Sequence, residues 1–276
     1  MKSRAGVLFL LVFVCCSALF AGGPPPPPTG TPCCWPPTKP LVNWWAFDEP
    51  AGTTSADIRG TANNLATDAG AIPRVIGAVG RAAEFGGSQW AQAANQADVN
   101  FNGDCATNDA EAGTIGFWIA STASSGVVTI LDKRVAATNS LTGYSVFLYN
   151  GRIGFQMATG TGNSSCGSAG SACTNWVAST LPLVADGNWH FVAISFTRCN
   201  TPTGFFYVDG STAAFTPRSG PLSNASDLYI ARSVPPLGAS IFSGWLDELF
   251  YGKQAFSSTD LDAMRNDRCR DTCWWK

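Results

Sequence analysis

The segment Asn188-Trp189-His190-Phe191-Val192-Ala193-Ile194-Ser195-Phe196-Thr197 decides the fold class. It opens after the turn pair Asp186-Gly187 and alternates along its length. Val192, Ile194 and Phe196 fall on one face, Trp189, Phe191 and Ala193 on the other. Apolar residues on both faces predict a strand inside a sheet that is covered on each side, not an edge strand. After a loop carrying Cys199, Pro202 and Gly204, the run Phe205-Phe206-Tyr207-Val208 reads as a second strand. It closes in Asp209-Gly210, a pair suited to the positive backbone angles of a type I′ hairpin turn. Aromatic-rich antiparallel strands with turn chemistry at each end predict an all-β domain.

Working outward, the same signals predict strands over 42–48, 82–85, 89–93, 114–121, 127–133, 144–149, 152–157, 176–179, 189–197, 205–208, 213–216, 228–232 and 244–251. Asn150-Gly151 marks a second tight hairpin. The Gly/Ser-rich stretch 160–172 reads as a surface loop. One helix is predicted to start at Ser257 or Ser258, with Asp260 favouring its positive end and Leu261 and Met264 facing inward.

The run Asp-Gly-Asn-Trp-His-Phe-Val-Ala, followed by Phe-Tyr-Val-Asp-Gly, resembles the laminin-G-like (LamG-like, concanavalin A-type) jelly-roll domains. Trp44-Trp45-Ala46-Phe47-Asp48-Glu49 with Gly52, Asp57 and Gly60, then Val79-Gly80-Arg81-Ala82 and Phe85-Gly86-Gly87, extend the match. Gly244-Trp245-Leu246-Asp247-Glu248-Leu249 before a late helix completes it. These pieces lie in family order from about Leu41 to Asn266. The resemblance implies a two-sheet antiparallel jelly-roll β-sandwich with one short C-terminal helix, its first and last strands side by side.

The chain ends read differently. Lys2 and Arg4 precede an apolar run, Gly6 to Phe20, that is too short to span a bilayer. Residues 1–21 are therefore expected to be a signal peptide, cleaved after Ala18 or Ala21, and the protein to be secreted. Lipid anchoring through Cys15 or Cys16 is disfavoured by the branched Val14 before them. Residues 22–40 are a proline-rich linker whose run Pro24 to Pro28 favours extended polyproline II. Residues 41–276 make one domain. Over the whole chain, a charged fraction of 13 %, a net charge of −2 and a pI near 5.3 argue against a nucleic-acid partner, which clustered cations would serve. No later apolar run is long enough for a transmembrane segment.

Removing Cys15 and Cys16 with the leader leaves an even set: Cys33, Cys34, Cys105, Cys166, Cys173, Cys199, Cys269 and Cys273. An even set in a secreted chain predicts disulfides. A zinc site built on Cys33-Cys34 and Cys269-x3-Cys273 is the weaker reading in an oxidising compartment. Cys166 and Cys173 flank the glycine-rich loop, so a local bridge is natural. If the Thr114 and Trp189 strands pair antiparallel, as in LamG-like folds, Cys105 and Cys199 come together. The same resemblance brings Cys33 and Cys34 to Cys269 and Cys273, with the pairing between them open.

His190 is the sole histidine. Its neighbours at strand spacing are apolar, which favours a structural role over general-base catalysis. Glycosidases of this general fold set two carboxylates on alternate positions of one strand. Here Asp48-Glu49 and Asp247-Glu248 are adjacent in sequence and are expected to point to opposite faces. A catalytic role is therefore not expected. The resemblance implies a structural calcium ion, for which Asp48, Asp57 and Asp247 are the candidate ligands; the alternative is that they cap turns and bind backbone amides. As ligand platforms the candidates are Tyr144, Tyr149, Trp176, Phe205 and Tyr207, with core filler as the competing role for each. The expected function is a non-catalytic binding module for a glycan or an extracellular protein. The rival is a structural or adhesive surface protein without a small-ligand site. Asn163 and Asn224 begin glycosylation sequons, relevant only in a glycosylating host.

Overall fold

The computed structural model describes residues 40–59, 63–67, 70–101, 111–137, 140–160, 166, 173–235, 237 and 240–266. Among these the strands, in chain order, are β1 Leu41–Trp45, β2 Thr54–Ser55, β3 Leu65–Thr67, β4 Arg74–Ile76, β5 Arg81–Gly86, β6 Ala91–Ala93, β7 Ala112–Ala120 and β8 Val127–Ala137. They continue with β9 Ser140–Tyr149, β10 Arg152–Thr159, β11 Cys173–Val177, β12 His190–Thr197, β13 Thr203–Val208, β14 Ser211–Phe215, β15 Leu228–Ile230 and β16 Ser243–Gly252. Helix α1, Ser258–Asn266, follows. The first sheet runs β14-β13-β12-β7-β16-β5-β4 with β1 also on β16; the second runs β11-β10-β9-β8-β15-β6-β3-β2. Neighbouring strands are antiparallel throughout. The expected jelly-roll β-sandwich is the observed architecture.

The opening segment sits where its two apolar faces require. β12 lies between β13 and β7, with Val192, Ile194 and Phe196 in the core between the sheets. Phe191 and Ala193 face the other way, into a second apolar cluster with Trp44, Trp118, Phe250 and the buried α1 residues Leu261 and Met264. This outer cluster explains why the helix is needed: without it, an apolar face of the first sheet would meet water. Ser257 caps α1, accepting from the Asp260 amide at 3.2 Å while the Asp260 carboxylate accepts from the Ser257 amide at 2.7 Å. The hydroxyl of Tyr207 ties the helix to β13 through Asp262 at 2.6 Å.

Both tight hairpins form as read, Asn150-Gly151 with φ of 49° and 76° and Asp209-Gly210 with 50° and 97°. The first and last strands pair, Trp45 opposite Leu249 and Trp44 opposite Phe250. The short strands β2, β3 and β4 carry two or three residues each and were not expected, because so few residues show no alternation.

Candidate functional site

The outward face of the second sheet holds a pocket of about 370 Å³ across β8, β9, β10 and β11. Alternation puts Tyr144, Val146 and Leu148 of β9 in the core, which leaves Ser145, Phe147 and Tyr149 facing out. Strand register then aligns the outward residues in rows. Asp132 lies opposite Ser145, Ser145 opposite Gln156, and Gln156 opposite Asn175. In the next row Thr129 lies opposite Phe147, which lies opposite Gly154, itself opposite Val177. Gly154 is required by this packing. A Cβ there would come within 2.3 Å of the Phe147 ring, which lies across the glycine as part of the pocket floor.

The polar row is locked before any ligand arrives. Arg134 donates through Nε and Nη2 to the two oxygens of the buried Asp132 at 2.7 and 2.5 Å, a bidentate pair. Its Nη1 donates to Gln156 Oε1 at 2.5 Å, and Gln156 Nε2 donates to Asn175 Oδ1 at 2.6 Å and Cys166 Sγ at 3.1 Å. The Cys166–Cys173 disulfide therefore touches the site it flanks. Tyr149 and Val127 stand exposed at the opposite end, 45 % and 56 % accessible. Val234 and Ser240 form a wall on the β8 side. Val234 donates its amide to Asp132 at 3.1 Å, and Ser240 Oγ accepts from the Thr129 amide at 2.9 Å.

Of the aromatics named from sequence, Tyr149 alone lines this pocket. Tyr144 and Tyr207 are fully buried, which corrects their candidacy as surface platforms. Tyr144 donates to the Val99 carbonyl at 2.7 Å inside the core, and Tyr207 lies beneath α1. Trp176 points inward, against Phe155 and Phe215, and Phe205 packs partly buried on the outer cluster. Arg134, Gln156, Asn175 and Phe147 were missed. The available signal was their outward position on strands whose alternate residues are apolar.

Asp48, Asp57 and Asp247 hold backbone amides. Asp48 accepts from Arg81 at 2.6 Å and Asp247 from Val79 at 2.8 Å, so the loop after the first strand and the last strand together grip the turn at 77–81. Asp57 accepts from the Trp44 and Arg59 amides at 2.9 and 3.0 Å and from Asn43 Nδ2 at 2.7 Å. Among the described residues no group of three acidic, histidine or cysteine side chains comes together as metal ligands.

The expectation that Asp247 and Glu248 point to opposite faces is overturned. Register shifts between Asp247 and Phe250, and Glu248 takes a left-handed φ of 52°, a β-bulge that breaks alternation. Asp247 reaches Val79 and Glu248 accepts from the Trp44 indole, so both acids enter the outer cluster side. Both are buried, and burial raises both carboxyls well above their usual range; the Asp247 charge raises Glu248 further.

His190 does not have the apolar surroundings read from its strand. Its Nδ1 lies 2.6 Å from Asp209 Oδ2 and its Nε2 2.9 Å from Asp186 Oδ1, bracing the two turns that flank the β12–β13 pair. The hydrogen bond to Asp209 leads in raising its pKa, against a lowering by burial.

The disulfide expected between Cys166 and Cys173 is present, and Cys199 is also disulfide-bonded. Strands β7 and β12 pair antiparallel, Thr197 opposite Ala112. Cys33, Cys34, Cys105, Cys269 and Cys273, like Asn163, lie outside the described residues. Asn224 directs its side-chain amide to the carbonyls of Lys133, Thr142 and Leu222 at 2.8, 3.2 and 3.3 Å, so the nitrogen a glycan would need is engaged.

Two antiparallel sheets, a late helix and a side-chain pocket on one outward face define a lectin-type sandwich. The chain belongs to the concanavalin A-like lectin/glucanase superfamily, whose laminin-G-type model matches residues 85–261. Among solved structures it is similar to the binding domain of Paraclostridial Mosquitocidal Protein 1, at 14 % identity and a TM-score of 0.59 over 82 % of this chain and 51 % of that one. A structure of botulinum neurotoxin type C, whose cell entry is dependent upon interaction with two ganglioside molecules, matches at 10 % identity and a TM-score of 0.54, over 83 % of this chain and 51 % of that one. The botulinum neurotoxin DC binding domain in complex with rat synaptotagmin II matches at 11 % identity and a TM-score of 0.53, over 83 % and 51 %. The chain thus spans about half the length of these structures. No curated protein matches the sequence.

Proposed function

We propose that this chain is a secreted, non-catalytic binding module that holds carbohydrate in the outer pocket of the second sheet. The observation that carries the reading is the pre-ordered row Asp132–Arg134–Gln156–Asn175 beside the Phe147 floor and the exposed Tyr149 ring. Sugar rings present apolar faces and directional hydroxyls, and this arrangement offers a partner for each. A volume of about 370 Å³ lies within the range of small-ligand sites. The side chains are held by one another, so little ordering entropy opposes binding.

The binding of gangliosides and of synaptotagmin by structures of similar fold supports a binding role over a catalytic one. Asp247 and Glu248, the two acids that the bulge turns to one side of β16, are both enclosed by protein and so withheld from a glycosidic bond. A protein ligand is the second reading, supported by the synaptotagmin complex.

The secreted domain should be applied to a glycan array with and without calcium, beside a Tyr149→Ala variant. Retention of defined glycans that the variant loses is the expected result. Absence of glycan binding, or binding indifferent to Tyr149, would overturn the carbohydrate reading.

A further inference from the structure

We infer that the pocket selects an uncharged sugar at the end of a glycan chain. This assignment rests on the carbohydrate reading of the same pocket and deepens it in two respects, charge and chain position.

The charge follows from Arg134. It is the cation among the lining residues, and its guanidinium is already matched by both oxygens of Asp132, which is fully buried. Arg152, on the neighbouring strand, donates to the Leu181 carbonyl and does not line the site. The ion pair contributes directional N–H donors and no net field. An anionic ligand entering such a site would lose hydration without gaining an unmatched positive charge. A hydroxyl oxygen accepts from the same donors at lower desolvation cost. Gln156 has both amide hydrogens engaged, whereas Asn175 Nδ2 and the Tyr149 hydroxyl have no partner among the described residues and complete a neutral donor set.

Chain position follows from the walls. Beyond Gln156 the outward face is covered by Leu141, Ala158 and the Cys166–Cys173 disulfide, with Leu237 packed on them. A chain running along the strands from Tyr149 stops there. A chain running across the strands toward β15 meets Val234 and Ser240 where they bond to Asp132 and Thr129. Both directions end in the same corner, so the occupant of the corner has no continuation beyond it.

The test uses the full secreted chain and pairs of neutral oligosaccharides, one of each pair capped at its terminal residue by a carboxylated or sulfated sugar. Isothermal titration should show binding to the uncapped member, with affinity changing by less than about twofold between low and high salt. The acidic cap should weaken binding by about tenfold or more, equivalent to about 1.4 kcal/mol. Asp132→Asn leaves the guanidinium unneutralised and should improve relative affinity for the acidic member; should this variant fail to fold, the salt series on the unaltered chain decides the point. Preference for the acidic member, or a steep fall with salt, in binding that Tyr149→Ala abolishes would overturn this inference alone. Equal affinity for glycans blocked at the terminal residue would overturn the chain-end assignment. Absence of any Tyr149-dependent glycan binding would instead remove the carbohydrate reading beneath it.

Discussion

Replacing Glu248 by glutamine should make the folded chain more stable at neutral and alkaline pH. Asp247 and Glu248 are 0 % and 1 % exposed, and the β-bulge in β16 turns both toward the outer cluster. Burial raises both carboxyls, and the repulsion of Asp247 adds to the rise at Glu248. A carboxyl with a raised folded-state pKa keeps its proton in the native state after the unfolded chain has released it. The contribution of this pair to stability is therefore fullest below the ordinary carboxylate range and is lost as pH climbs from there through the raised folded values. Each retained proton contributes a slope of about 1.4 kcal/mol per pH unit within that window. Glutamine preserves the volume and an oxygen to accept the Trp44 indole N–H, and removes one titrating group. Within the window the variant should gain on the parent by up to about 1.4 kcal/mol per pH unit. Urea unfolding followed by tryptophan fluorescence, repeated from about pH 4 upward, reads the difference directly. Two stability curves that run parallel at every pH would refute the reasoning, because the pair would then hold no extra proton.

Gly154→Ala drives a Cβ into the Phe147 ring, with contacts of 2.3, 2.6 and 2.9 Å. It should destabilise by about 1–3 kcal/mol and weaken ligand binding by disturbing the pocket floor, measured by thermal unfolding and titration. His190, whose folded pKa is raised, stabilises fully below its unfolded value of about 6.5, and that contribution is lost as pH rises through the folded value. His190→Gln should abolish this pH dependence while leaving glycan affinity within a few-fold, since the residue braces turns away from the pocket; loss of a hydrolytic activity in the folded variant would reverse the non-catalytic reading. Non-reducing peptide mapping should join Cys33 and Cys34 to Cys269 and Cys273, given that β1 pairs with β16. A bond from Cys33 or Cys34 to Cys105 or Cys199 would refute that staple.

The sequence by itself determined the fold class and much of the strand order. Alternation in β12 and the turn pairs Asn150-Gly151 and Asp209-Gly210 are local signals, because side-chain period and positive φ are properties of a few consecutive residues. The bridge between Cys166 and Cys173 was legible for the same reason, its partners lying seven residues apart. Tertiary structure alone decided the site. Asp132 and Arg134, Gln156 and Asn175 come from three strands, and register across the sheet turns their scattered polarity into one hydrogen-bonded row. Tertiary structure also decided the fate of the acids and of His190. The bulge at Glu248 reverses a strand-alternation argument that holds only for regular pleats, and Asp186 and Asp209 reach His190 from turns whose closeness no strand pattern encodes.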